Sequence, residues 1–186
     1  MSPRGPFIEG KGVEQQVSID NKRHIKALII EDDPTDAELL RRFLSRAGDI
    51  CFDTEHADRM SSGIDFLGKK DFDIVISDLG LPDSLGVETF VKLHQLYPET
   101  PMIVLTGLDD QETALKAVQG GAQDYLVKGK IDTNLLVRSI QYSIERQKLI
   151  TRLERSLKEI KTLRGLLPMC RLVQEDKGRQ RLLEGT

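Results

Sequence analysis

The chain has 186 residues, with 27 Lys and Arg against 30 Asp and Glu, for a formal net charge of -3. That balance leaves no bulk basic face for nucleic acid, and no apolar run is long enough to span a bilayer. Two cysteines without metal-type spacing, Cys51 and Cys170, and an N-terminus lacking the apolar segment of a signal peptide suit a reducing cytosol, so a cytoplasmic protein is expected.

Residues 1–23 carry Gly and Pro among polar residues with little periodicity, and a flexible leader is expected there. Order begins with the apolar run Ile25 to Ile30, a strand that ends in Glu31-Asp32-Asp33. Pro34 at a first helical position, Asp33 as its N-cap and Asp36 in the first turn predict a helix, over which the apolar residues Ala37, Leu39, Leu40, Phe43 and Leu44 recur at helical spacing. Ile50 to Glu55 reads as a second strand, and Met60 to Leu67 as a short helix stopped at Gly68. Phe72, Ile74, Val75 and Ile76 form a β-branched run that ends in Asp78, after which Gly80 and Pro82 break the chain into a loop. A helix over Leu85–Tyr97, a strand over Met102–Leu105 closed by Thr106, a helix over Glu112–Gln119 and a strand over Asp124–Val127 ending in Lys128 follow.

Strands and helices thus alternate through five β–α units. This predicts an α/β fold, a doubly wound five-stranded parallel sheet with helices on both faces, over residues 24–145. The last helix continues as residues 146–167 without Pro and with no Gly before Gly165. Ile150, Leu153, Leu157 and Ile160 alternate by three and four between charged residues, the seam of a short coiled coil, and self-association is favoured over folding back on the domain. A helix end before Pro168 and a poorly ordered tail over residues 168–186 are expected.

The chemistry gathers at the strands' carboxyl ends, which share one edge of a parallel sheet. Glu31, Asp32, Asp78, Thr106 and Lys128 all fall there. Packed carboxylates repel unless a cation joins them, and a hard divalent ion such as Mg²⁺ suits one or two carboxylates with a backbone carbonyl. Carboxylates can also accept phosphoryl groups, with a metal and a lysine offsetting charge on the phosphoryl oxygens.

The segments Ala27–Asp33, Ile76–Asp83, Val104–Gly107 and Gln123–Gly129 resemble the motifs of response regulator receiver domains, the CheY-like members of two-component signalling, from about Lys26 to Ser143. The resemblance implies that Asp78 is the phosphoacceptor, and that Glu31 and Asp32 form the acidic pair with Asp32 a direct ligand of Mg²⁺ or Mn²⁺. The Gly80 carbonyl would be a further ligand, Thr106 and Lys128 would contact the phosphoryl group, and Tyr125 would change rotamer on activation. Glu31 is a departure, since the family often has Asp there. The implied partner is a sensor histidine kinase or phosphotransfer protein, and the implied role is a phosphorelay switch of protein contacts, with a homodimer through the C-terminal helix. The output stays open between a stand-alone receiver, a piece of a longer signalling protein, and a phosphorylation-independent coiled-coil adaptor. A haloacid dehalogenase-type phosphatase is disfavoured, because Gly80 occupies the position where its general acid would stand.

Overall fold

Each apolar run becomes a strand and each amphipathic stretch a helix. In the computed structural model, which describes residues 22–107 and 110–183, the order is β1 (Arg23–Ile30), α1 (Pro34–Ser45), β2 (Ile50–Ala57), α2 (Met60–Leu67), β3 (Ile74–Asp78), β4 (Gly80–Leu81), β5 (Ser84–Leu85), α3 (Val87–Leu96), β6 (Met102–Thr106), α4 (Gln111–Gln119), β7 (Asp124–Val127) and α5 (Thr133–Leu183). The main sheet is ordered β2-β1-β3-β6-β7, and every neighbouring pair is parallel. The chain leaves β1 in one direction to β2 and returns on its other side to β3. The switch point therefore lies between the carboxyl ends of β1 and β3, where doubly wound sheets open a crevice.

Alternation along the strands divides the core in two, because successive side chains point to opposite faces. Ala27, Ile29, Ile74, Ile76, Ile103, Leu105 and Leu126 pack with Leu40 and Leu44 of α1 and Leu136, Ile140 and Ile144 of α5. Leu28, Ile30, Val75, Met102 and Val104 pack on the other face with Leu67 of α2, Phe90 and Leu93 of α3 and Ala117 of α4. Both faces are covered, which is why these strands are apolar throughout instead of alternating with polar residues.

Several element bounds differ from those expected. Arg23 belongs to β1 and not to the leader, because it pairs with Ile50 and its guanidinium bonds Glu145 at 2.9 Å. The rest of the expected leader, apart from Lys22, lies outside the described residues. The loop after Asp78 contains an antiparallel hairpin of β4 and β5. The helix expected from Leu85 begins at Val87, because Leu85 is taken by β5 and Gly86 adopts a positive φ of 63°, open to a residue without Cβ. Finally, α5 does not stop before Pro168 but is assigned as far as Leu183, and residues 184–186 of the expected tail lie outside the described residues.

Exit of the long helix is tied down at three points. Ser139 donates to Asp124 Oδ2 at 2.6 Å, and Gln147 bridges Gln123 (2.9 Å) and the Pro98 carbonyl (3.3 Å). The Arg23–Glu145 pair adds the third. Beyond them Ile150, Leu153 (62 % exposed), Leu157 and Ile160 are all exposed, so the domain leaves this stretch of the seam uncovered. Among the described residues, no helix is long and apolar enough to cross a membrane.

The hairpin also does capping work. Arg59, at the N-cap of α2, makes no side-chain cap bond, and Asp83 replaces it by accepting from Met60 N and Ser61 N, each at 2.9 Å. Replacing Asp83 with Ala is expected to lower stability by about 1 kcal/mol, the usual worth of a lost N-cap, as a reduced midpoint in urea unfolding followed by far-UV circular dichroism.

Candidate functional site

Parity and register bring the site together. On β1 the face carrying Ala27 and Ile29 next presents Glu31, on β3 the face of Ile74 and Ile76 next presents Asp78, and past β7 the face of Leu126 next presents Lys128. Backbone bonds extend the ladders that far, from Glu31 N to Ala57 O at 3.0 Å and from Lys128 N to Thr106 O at 2.8 Å. His56 Nε2 holds the Glu31 carbonyl at 2.8 Å. Gly129, with φ of 81°, turns the chain away directly after Lys128.

Lys128 Nζ lies 2.7 Å from Asp78 Oδ2 and 2.8 Å from both Glu31 oxygens. Glu31 is fully buried, whereas Asp78 and Lys128 keep 13 % and 24 % of their side-chain surface. Only Oε1 of Glu31 receives directed bonds, from Lys128 and from the Asp33 amide (3.3 Å). Oε2 makes an ion-pair contact with the same ammonium at 2.8 Å without a directed hydrogen bond. Asp32 is exposed, and one carboxylate oxygen each of Glu31, Asp32 and Asp78 lie within 4.8 Å of one another.

Electrostatics follows from this crowding. Burial, reinforced by the Asp78 charge and opposed by the Lys128 hydrogen bond, pushes the Glu31 carboxyl up to about 7. Burial disfavours the Lys128 ammonium, but its hydrogen bonds to Asp78 and Glu31, and their charges, outweigh that and hold it above the usual lysine range. Three carboxylates gathered within reach of one another around a single ammonium fit a divalent cation. Those donors are hard oxygens, as Mg²⁺ prefers.

The other expected residues sit nearby with different contacts. Gly80 N donates to Asp78 Oδ1 at 3.1 Å, so the hairpin steadies the carboxylate from the side opposite Lys128. Thr106 is buried on the opposite face of the sheet, with Val104, and its hydroxyl donates to the Gly107 carbonyl at 3.2 Å. It nevertheless lines the same open cleft as Asp78, Gly80, Leu85, Gly107 and Lys128. Tyr125 pairs in register with Val104 and packs half-buried on that opposite face.

Two acids have roles that the sequence reading did not assign. Asp83 caps α2, and Asp36 Oδ2 is a third partner of Lys128 Nζ, at 3.1 Å. The second was legible in principle, because helical side chains lean toward the N-terminus and Asp36 sits in the first turn, right beside the strand tips. Asp33 caps α1 as expected, accepting from Thr35 N at 2.7 Å and Asp36 N at 3.3 Å.

This chain belongs to the response regulator receiver domain family, whose model matches residues 27–141. Among curated relatives it is 34 % identical over 103 residues to the response regulator protein PilR of Pseudomonas aeruginosa, covering 55 % of this chain and 22 % of that one. It is 36 % identical over 114 residues to the probable transcriptional regulatory protein SilR of Salmonella typhimurium, covering 61 % and 49 %. The chain thus spans between about a fifth and a half of the length of these relatives. Among solved structures, a response regulator receiver domain protein from Clostridium thermocellum superposes with a TM-score of 0.60 at 27 % identity, covering 68 % of this chain and 98 % of that one. Receiver domains of this family are signalling switches that accept a phosphoryl group in two-component systems.

The buried charge balance has a measurable consequence. Lys128→Met leaves Glu31 and Asp78 facing each other without a cation and is expected to cost roughly 3 kcal/mol at pH 8. Because the folded-state pKa of Glu31, about 7, lies above its ordinary value of 4.5, protonating Glu31 favours the folded state. That stabilisation is full below 4.5 and lost as pH rises through 7, so the Lys128→Met deficit should shrink at pH 5. Urea unfolding of both proteins at the two pH values checks this.

Proposed function

We propose that Asp78 is the phosphoacceptor of this chain and takes its phosphoryl group from a phosphohistidine on a sensor kinase or phosphotransfer protein. The observation that carries this reading is the 2.7 Å pairing of Asp78 with Lys128 beside Glu31 and Asp32 at the sheet's switch point. An Asp78 oxygen attacks phosphorus in line, the P–N bond breaks, and its electron pair leaves with the imidazole. Lys128, already within hydrogen-bond distance of the nucleophile, offsets the charge that builds on the phosphoryl oxygens. Gly80 N fixes the non-attacking carboxylate oxygen. Mg²⁺ or Mn²⁺ held by Glu31, Asp32, Asp78 and the Gly80 carbonyl would supply further neutralisation of those oxygens.

The read-out uses the opposite face. Thr106 exchanges its bond to the Gly107 carbonyl for one to the phosphoryl group, which draws it toward Asp78. Space opens beside Tyr125 on the adjoining strand, and a rotated ring remodels the surface of α4, β7 and α5. Hydrolysis by water resets the switch, so the protein is the substrate of its own reaction and turns over no diffusible one.

For the extension, the outward seam of Ile150, Leu153, Leu157 and Ile160 favours pairing with a second copy of this chain. An isolated polar helix with a narrow apolar stripe gains little stability until that stripe is covered.

Intact mass after incubation with acetyl phosphate and Mg²⁺ tests the site. One hydroxylamine-labile phosphoryl adduct is expected on the wild type and none on Asp78→Asn; an adduct that survives this substitution would sink the assignment. For the extension, Leu153→Lys with Leu157→Lys is expected to convert a dimer into a monomer in sedimentation velocity while leaving the adduct intact.

A further inference from the structure

We propose that Asp36, in the first turn of α1, is a positioning residue that competes with the phosphoryl group for Lys128 and thereby shortens the life of the phosphorylated state. The inference rests on Asp78 being the phosphoacceptor.

A lysine ammonium has three N–H donors, and Lys128 is ringed by three carboxylates: Asp78 at 2.7 Å, Glu31 at 2.8 Å and Asp36 at 3.1 Å. The three differ in what else they do. Glu31 and Asp78 belong with Asp32 to the group able to hold a cation, and Asp36 does not. Asp36 is therefore the partner whose contact has no other assigned use. Its backbone is held in place, with Asp36 N bonded to the capping carboxylate of Asp33. Beside its carboxylate, a small pocket shared with Glu31 and Lys128 is walled by Leu39, Phe43 and Leu105. The Asp36–Lys128 pair is partly exposed, so its attraction is partly screened, and Asp36's hold on Lys128 rests on the 3.1 Å contact.

Placement of Lys128 does not need Asp36, since Asp78 and Glu31 hold the ammonium at shorter range and Asp36 is 40 % exposed. Its effect is instead on the phosphorylated protein. A phosphoryl group on Asp78 brings about two negative charges and three acceptor oxygens to the ammonium. Asp36 keeps one N–H turned toward α1 and adds a fixed negative charge close to those oxygens. Both effects weaken the Lys128–phosphoryl pair, and removing the charge removes both.

The test uses the full chain with Asp36→Asn, which keeps the shape and the backbone cap bond, and Asp36→Glu, which keeps the charge. Beryllofluoride affinity at saturating Mg²⁺ is measured by calorimetry, and the half-life of the acetyl phosphate-derived adduct by intact mass. Asp36→Asn is expected to bind beryllofluoride roughly three- to tenfold tighter and to lengthen the half-life by a similar factor, with an unchanged melting temperature. Asp36→Glu should behave as the wild type. A purely structural role for Asp36 would lower the melting temperature and weaken beryllofluoride binding, and that result overturns the proposal. So does an Asn variant indistinguishable from a wild type that forms the adduct normally. A wild type that forms no adduct fails the phosphoacceptor assignment itself, and this inference with it.

Discussion

One ammonium among carboxylates is the constraint on which the rest of this structure depends. Lys128 is the cation that lets Glu31 stand fully buried at the tip of β1 and Asp78 stand close beside it at the tip of β3. Neither acid would be tolerable there alone, because an unpaired buried charge costs several kcal/mol. Burial, with the Asp78 charge, outweighs that compensation and holds the Glu31 carboxyl up near 7. A site that is short of positive charge is suited to gaining a cation. It is also suited to responding when phosphoryl oxygens replace a carboxylate as the ammonium's partner.

The sheet separates the groups proposed to react from those proposed to report the reaction. Parity places Glu31, Asp78 and Lys128 on the face covered by α1 and α5, and Thr106 and Tyr125 on the face covered by α2, α3 and α4. The two sets meet only at the carboxyl edge, where Thr106 shares the Asp78 cleft. In the proposed switch, a change in charge on one face therefore reaches the other through a single small hydroxyl. The same edge ties in the β4–β5 hairpin, which touches Asp78 through Gly80 N and caps α2 through Asp83.

The long helix is joined to this arrangement from the opposite end of the sheet. Asp124, next to Tyr125, holds Ser139, while Gln147 links Gln123 to the Pro98 carbonyl. These bonds fix the direction in which α5 leaves the domain. The covered part and the projecting part are one continuous helix.

Much of the architecture was legible in the chain. Short apolar runs rich in β-branched residues and bounded by turn signals read as strands covered on both faces, and helical spacing between them implies parallel connections. The strand-tip acids and Lys128 were legible for the same reason, because a polar residue ending a buried run must sit at the sheet edge. What the sequence could not specify came from contacts between distant segments. The start of α3 was moved by a hairpin pairing that claimed Leu85, and the cap of α2 came from Asp83 because Arg59 offers no acceptor. The third acid on Lys128 depended on how α1 sits against β7, with the two partners 92 positions apart. Sequence determines which residues seek burial and where runs end, since those are local properties. Only tertiary structure decides which charges share a proton donor, because Coulomb and hydrogen-bond energies depend on distances of a few ångströms that no local pattern encodes.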